Sequence, residues 1–200
     1  MHLIQRTEEM NTAEPLVFRQ AWRPEPEPGF QPGRVRVGWQ AEGFRLKAEL
    51  EDRDVFNPET RFNQPAFTVG DVLEWFLQPP GSQAYWELHI GPEGQVCQMR
   101  MPSQSRFEAV REQGVPREWM VESPKLQAES RIQGDIWEIE AFLPVELLEK
   151  QNLSRGEVWK MSFCRYDHNR DPENLILSSS SSFKALNFHT LNDWDEFLTV

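Results

Sequence analysis

The pattern that most restricts this chain is a strict alternation of polar and apolar side chains over two neighbouring segments. In Arg34-Val35-Arg36-Val37-Gly38-Trp39, the side chains of Val35, Val37 and Trp39 share one face. After a turn at Gln40 to Gly43, Phe44-Arg45-Leu46-Lys47-Ala48-Glu49-Leu50 alternates again, with Phe44, Leu46, Ala48 and Leu50 on one side. A period of two over both arms predicts an antiparallel hairpin with one face in a core and the other in water. Further strands are expected at Val72–Leu77, Tyr85–Ile90, Gln95–Met101, Lys125–Ile132, Ile136–Phe142, Glu157–Arg165, Leu175–Ser179 and Phe197–Val200. Turn sequences such as Pro79-Pro80-Gly81-Ser82 and Gly91-Pro92-Glu93-Gly94 separate them. Glu51–Thr68 reads as a long polar loop, and residues 103–119 as a loop with a helical turn. Leu143–Lys150, with proline near its first turn, predicts one short helix. The connections are too short and helix-poor for a parallel sheet. The fold class expected is therefore all-β: an antiparallel β-sandwich, jelly-roll-like with immunoglobulin-like layers.

A chain of 200 residues suits one domain with a full core. The division expected is a flexible N-terminal segment over 1–15 and a single sandwich domain over 16–200. Three prolines make Arg23–Gly29 a surface connector, because proline cannot donate to a central ladder. Eight Trp and thirteen Phe exclude a disordered chain. A net charge of -11 argues against nucleic acid as a partner, since the far field repels phosphate. No apolar run is long enough for a membrane span, so no membrane partner is expected. The start Met1-His2-Leu3-Ile4-Gln5-Arg6 lacks an apolar signal core, which predicts a cytoplasmic chain as written, or a secreted one if a leader was removed. Cys97 and Cys164 are too few for a disulfide framework and read as buried strand residues.

No nucleophile elbow, Cys–His pair or glycine-rich phosphate loop occurs, and no catalytic residue is assigned. Paired carboxylates leave a small glycoside hydrolase as an alternative, with Asp71, Glu74, Glu87, Glu138 and Glu140 as its candidates. Alternation puts Glu138 and Glu140 on a solvated strand face, which weighs against that pair. Asp167, Asn169 and Asp171 place oxygen donors at alternate positions, and Asp52 and Asp54 offer a second pair. These are the candidate ligands for calcium, set against the simpler reading of solvated loops. Trp39, Phe44, Trp137 and Trp159 lie in alternating strands and belong to the core. Phe56, Phe62, Phe67, Trp119, Phe183, Phe188 and Trp194 lie in or beside polar loops. Rings presented beside amides and carboxylates suit a neutral sugar, whose C–H face stacks while its hydroxyls are read by fixed polar groups.

Several segments resemble, in family order, carbohydrate-binding module family nine and its DOMON-like relatives. They are Asn63–Leu77, with Gly70-Asp71-x-x-Glu74-x-Phe76 at its heart; Tyr85–Gly94; Trp137-x-Ile139-Glu140-Ala141-x-Leu143-Pro144-x-x-x-Leu147; Trp159-x-x-Ser162-Phe163-x-Arg165; and Phe188-His189. The resemblance implies a β-sandwich that binds carbohydrate without cleaving it, often attached to a glycoside hydrolase and sometimes holding calcium. The family grips a terminal sugar between two Trp rings. Phe67 stands at one of those positions, and Phe188 or His189 at the other. Glu74 falls on a family ligand carboxylate, and Glu87 stands where a sugar-binding member has a basic residue. The expected partner is a small-molecule or oligosaccharide ligand, with a glycoside hydrolase as a candidate protein partner. The expected site is an aromatic platform of Phe67 and Phe188, with Glu74, Glu87, His89, Arg165 and His189 as polar readers. Two other readings stay open. One is a haem-binding relative using His89 with Met99, Met101 and Met161; the other is a sandwich that has lost its ligand.

Overall fold

The computed structural model describes residues 1–170 and 173–200. It is a sandwich of two sheets. One sheet holds β2 (Leu16–Val17), β3 (Gly33–Gln40), β4 (Gly43–Glu51), β9 (Ile136–Pro144) and β8 (Gln127–Gln133), in that order. The other runs β1 (His2–Ile4), β12 (Asp195–Thr199), β10 (Val158–Arg170), β5 (Val72–Gln78), β6 (Tyr85–Ile90) and β7 (Val96–Met101), with β11 (Glu173–Ser179) also on β10. All the pairings are antiparallel except that of β1 with β12.

The predicted hairpin is β3–β4, with Val37 opposite Leu46 and Trp39 opposite Phe44. Its apolar face joins Trp137, Ile139 and Leu143 of β9 and meets Leu73, Trp75, Leu77, Trp86, Leu88, Trp159 and Phe163 of the other sheet. This is the core between the layers, and the four strand aromatics assigned to it lie there. The opposite face of the five-stranded sheet is solvated. There Lys47 pairs with Glu140 at 3.2 Å and both remain exposed.

The seven-stranded sheet differs, because its outer face is also covered. Phe76, Tyr85, Cys97, Met99, Met101 and Cys164 lie on that face and form a second apolar cluster. Loop residues Trp119, Phe183, Phe188, Leu191 and Trp194 close over them, with Phe107 of α1 (Gln104–Val110). Strands β5, β6 and β7 are therefore buried on both sides, as their almost unbroken burial shows.

Two expectations need correction. Residues 1–15 are not a loose segment: β1 pairs with the last strand, and Ile4 and Met10 are buried. Leu143–Lys150 does not form a helix. Leu143 and Pro144 extend β9, a single 3-10 turn covers Val145–Leu148, and Glu149 leaves it at φ 58°. Among the described residues the one α-helix is Gln104–Val110 instead, where the Ser103 hydroxyl accepts from Arg106 N at 3.2 Å as its N-cap. Among the described residues no helix is long and apolar enough to cross a membrane.

Candidate functional site

The covered outer face carries a polar interruption. Register places Glu74 of β5 beside His89 of β6 and beside Cys164 of β10, and Phe76 beside Glu87. Residues two apart on a strand share a face, so Glu74, Glu87 and His89 all point away from the core. His89 Nε2 lies 2.7 Å from Glu87 Oε1 and 3.3 Å from Glu74 Oε1. His189 Nε2 stands 3.6 Å from the other oxygen of Glu87, and its Nδ1 is 2.9 Å from the Tyr85 hydroxyl. All three strand residues are buried.

Burial in this setting decides the protonation states. For Glu74 it pushes the pKa well above the ordinary carboxylate range, and the neighbouring Glu87 pushes the same way. Burial opposes a charge on Glu87 too, but His189 and the His89 hydrogen bond outweigh it and hold Glu87 below its usual value. Burial lowers His189, against the pull of Glu87. The two adjacent carboxyls are therefore pushed in opposite directions, Glu74 toward keeping its proton and Glu87 toward losing it.

Above this floor opens a cleft of two adjoining hollows, about 290 and 350 Å³. Both are lined by Phe67, Glu87, Phe107, Arg111 and His189; Glu74, Tyr166 and Phe188 complete the first. The rings form a continuous wall, with Phe67 centred 5.2 Å from Tyr166 and Tyr166 5.9 Å from Phe188. Phe107 stacks on His189 at 3.6 Å.

The loops that carry the wall are pinned by named contacts. Asp71 accepts from Phe56 N at 2.6 Å and His168 N at 2.7 Å, and Asn57 Nδ2 donates to the Asp71 and Ala66 carbonyls. Gly70 allows the close approach, since a Cβ there would stand 2.5 Å from Asn57 Cα. His168 Nε2 is 2.8 Å from the Phe67 carbonyl, which fixes the end of this loop. On the far side Trp194 Nε1 donates to the Phe188 carbonyl at 2.7 Å.

A second buried acidic group lies at the end of the sandwich. Carboxylate oxygens of Asp52, Asp71 and Asp167 fall within 4.8 Å of one another. The Arg165 guanidinium sits among them, 2.9 Å from Asp52 and 3.4 Å from Asp167, and also donates to the Gln31 carbonyl. A larger hollow of about 700 Å³ lies over the five-stranded sheet near Met10 and Gln127. It gathers solvated charges such as Lys47 and Glu140 rather than a buried titratable group.

No protein-family model matches the chain, and no curated protein matches it. Solved structures do. A candidate carbohydrate-binding protein from Bacteroides uniformis aligns over 100% of this chain and 97% of its own, with a TM-score of 0.71 and 13% identity. A family 9 carbohydrate-binding module from Caldicellulosiruptor kristjanssonii, in complex with cellotriose, aligns over 99% of this chain and 92% of its own, with a TM-score of 0.68 and 9% identity. The same module with glucose gives a TM-score of 0.68. The fold is that of a family 9 carbohydrate-binding module.

Within this family 9 fold, Phe67, Glu74, Glu87, His89, Phe188 and His189 come together at one cleft or its floor. Arg165 does not join them. On β10 it shares a face with Phe163 and Asp167, opposite Tyr166, and so lies on the core side of the sheet. Tyr166, Phe107 and Arg111 line the cleft without having been expected there. Extending the alternation of β10 by one residue beyond Arg165 would have found Tyr166.

The calcium candidates divide. Asp52 and Asp167 meet, together with Asp71, but Asp54 turns away to bind Arg170 N at 2.9 Å. Asn169 follows Asp167 on the same face of β10, and Asp171 lies outside the described residues. In the cluster itself, five of the six carboxylate oxygens already accept from protein donors and only Asp167 Oδ1 lacks one. Calcium takes six to eight oxygens, and a guanidinium occupies the centre, so these residues fit an ion-pair cluster rather than a calcium cage. The haem set also separates: Met161 lies in the core between the sheets, while His89, Met99 and Met101 lie on the outer face.

Proposed function

We propose that this chain is a non-catalytic carbohydrate-binding domain. The sugar rests in the cleft on the outer face of the seven-stranded sheet, stacked against Phe67 and Phe188 with Tyr166 between them. Glu74, Glu87 and His189 read its hydroxyls. One observation carries this reading: Phe67 and Phe188, from loops far apart in sequence, reach the same cleft as two buried carboxyls. The fold neighbours support it, since one of them holds cellotriose or glucose.

The carboxyls do not suit hydrolysis. A glycosidase pair flanks the bond it breaks, with a sugar between the two groups. Here one imidazole nitrogen touches both Glu74 and Glu87, which leaves no room for a pyranose between them.

Calorimetry with gluco-, xylo- and manno-oligosaccharides tests the proposal. Binding in the micromolar-to-millimolar range is expected, with no release of reducing sugar on incubation. Burying a Phe face contributes about 1.5–3 kcal/mol, so Phe67→Ala should weaken binding about ten- to a hundredfold. Phe67 is partly exposed, so the thermal midpoint should hardly move. Silence across the whole panel at millimolar concentration would end this reading.

A further inference from the structure

The floor of the cleft, beside its two carboxyls, is short of positive charge. The salt-bridge partners of Glu74 and Glu87 among the described residues are His89 and His189, with no Lys or Arg. Arg111 and Arg117 reach the cleft, but from its exposed rim, and neither makes an ion pair with either carboxyl. The wall facing these carboxyls is built of Phe67, Tyr166 and Phe188. Ring faces attract cations, and rings combined with carboxylates form the usual receptor for an ammonium group. A neutral hydroxyl uses only half of such a site.

Resting on the sugar-binding proposal, we infer that the ligand is a cationic sugar: an oligosaccharide whose terminal unit is a 2-amino-2-deoxyhexose. Its ammonium sits over Glu74 and Glu87, and its ring stacks on Phe67. The ammonium replaces the proton held by Glu74, so binding releases a proton. Several other titratable or charged groups face Glu74. They are Glu87 and His89 from β6, Cys97 from β7, Cys164 and Tyr166 from β10, and His189 and Arg111 from the covering segments. Glu87 is pushed toward losing its own proton, and burial holds both thiols and the phenol neutral.

The test compares three trisaccharides of the same linkage at pH 6: cellotriose, the glucosamine trimer and the N-acetylglucosamine trimer. Acetylation keeps the nitrogen and removes its charge, so the comparison needs no variant. The glucosamine trimer should bind about tenfold or more tightly than either neutral trimer. Its binding enthalpy should change with the ionisation heat of the buffer, as proton release requires, while that of cellotriose should not. Glu74→Gln should bring the three affinities to within about twofold. If that variant misfolds by circular dichroism, the ligand comparison still decides. Equal affinity for all three, or preference for a neutral trimer, overturns the cationic ligand and leaves sugar binding standing. No binding by any of them overturns sugar binding itself, and this inference with it.

Discussion

Two clusters of buried carboxyls lie on opposite faces of the same sheet, and the protein treats them differently. At the end of the core, Asp52 and Asp167 hold a guanidinium between them, and Asp71 beside them is bound by two backbone N–H groups. On the outer face, Glu74 and Glu87 share one imidazole and open into a cleft. Buried charge is tolerated only where something compensates it. The first cluster is compensated from within and closes the structure. Burial pushes a carboxyl toward keeping its proton in both, Asp71 in the first and Glu74 in the second, but only the second opens into a cleft where a ligand can exchange with that proton. The contrast separates a closed cluster from one that opens onto ligand-sized space with no appeal to resemblance.

The contrast can be broken most directly at Arg165. Arg165→Leu leaves Asp52 and Asp167 buried without their counter-charge, and urea unfolding should report a loss of about 3–5 kcal/mol. The affinity of whatever binds the cleft should not change in the fraction that folds. A loss below about 1 kcal/mol would mean that the cluster is compensated elsewhere.

A smaller effect follows from pH. Burial, with Asp52 adding to it, raises Asp71 to about 8, and burial outweighs Arg165 to bring Asp167 to about 6. The folded state therefore holds protons that the unfolded chain has lost, and stability falls as pH rises through those values. Glu74 adds in the same sense. Glu87 is lowered, so its contribution lies on the acid side of this window, and His189 acts oppositely near its ordinary range. The decline should be clearest between pH 7 and 8, where the urea midpoint should drop, and Asp71→Asn should make it shallower. A midpoint that stays level over that interval would contradict the burial of Asp71 as a carboxylic acid.

The smallest effect sharpens the contrast from the side of metals. Chelation with EGTA, or addition of millimolar calcium, should move the thermal midpoint by less than about 1 °C, against the ~2–4 °C that 1 kcal/mol would bring. A rise of several degrees with calcium would show a cation seated beside Asp167 in place of part of the ion-pair network.

Strand pairing was legible because β3, β4 and β9 alternate cleanly, and alternation is local. The first strand was not, because its only strand partner, β12, lies at the other end of the sequence. The expected helix failed for a related reason. Leu143, Val145 and Leu147 are apolar at every second residue, which serves an extended strand end as well as it serves a helix start. At the site, a single position separated success from error. Arg165 and Tyr166 are neighbours on opposite faces of β10, and only the register with β5 decides which of them meets Glu74. Phe107 and Arg111 were out of reach, since nothing in residues 103–119 indicates which part of the sheet that segment covers.

The three residues of β1 lie along the outer side of β12, His2 against Phe197 and Ile4 against Thr199. They take up hydrogen-bonding groups that would otherwise be bare. A strand left open in that way is a template that a second molecule can extend. Trimming the first few residues would leave the cleft intact and bare the edge of β12, so the least conspicuous strand guards that edge against self-association.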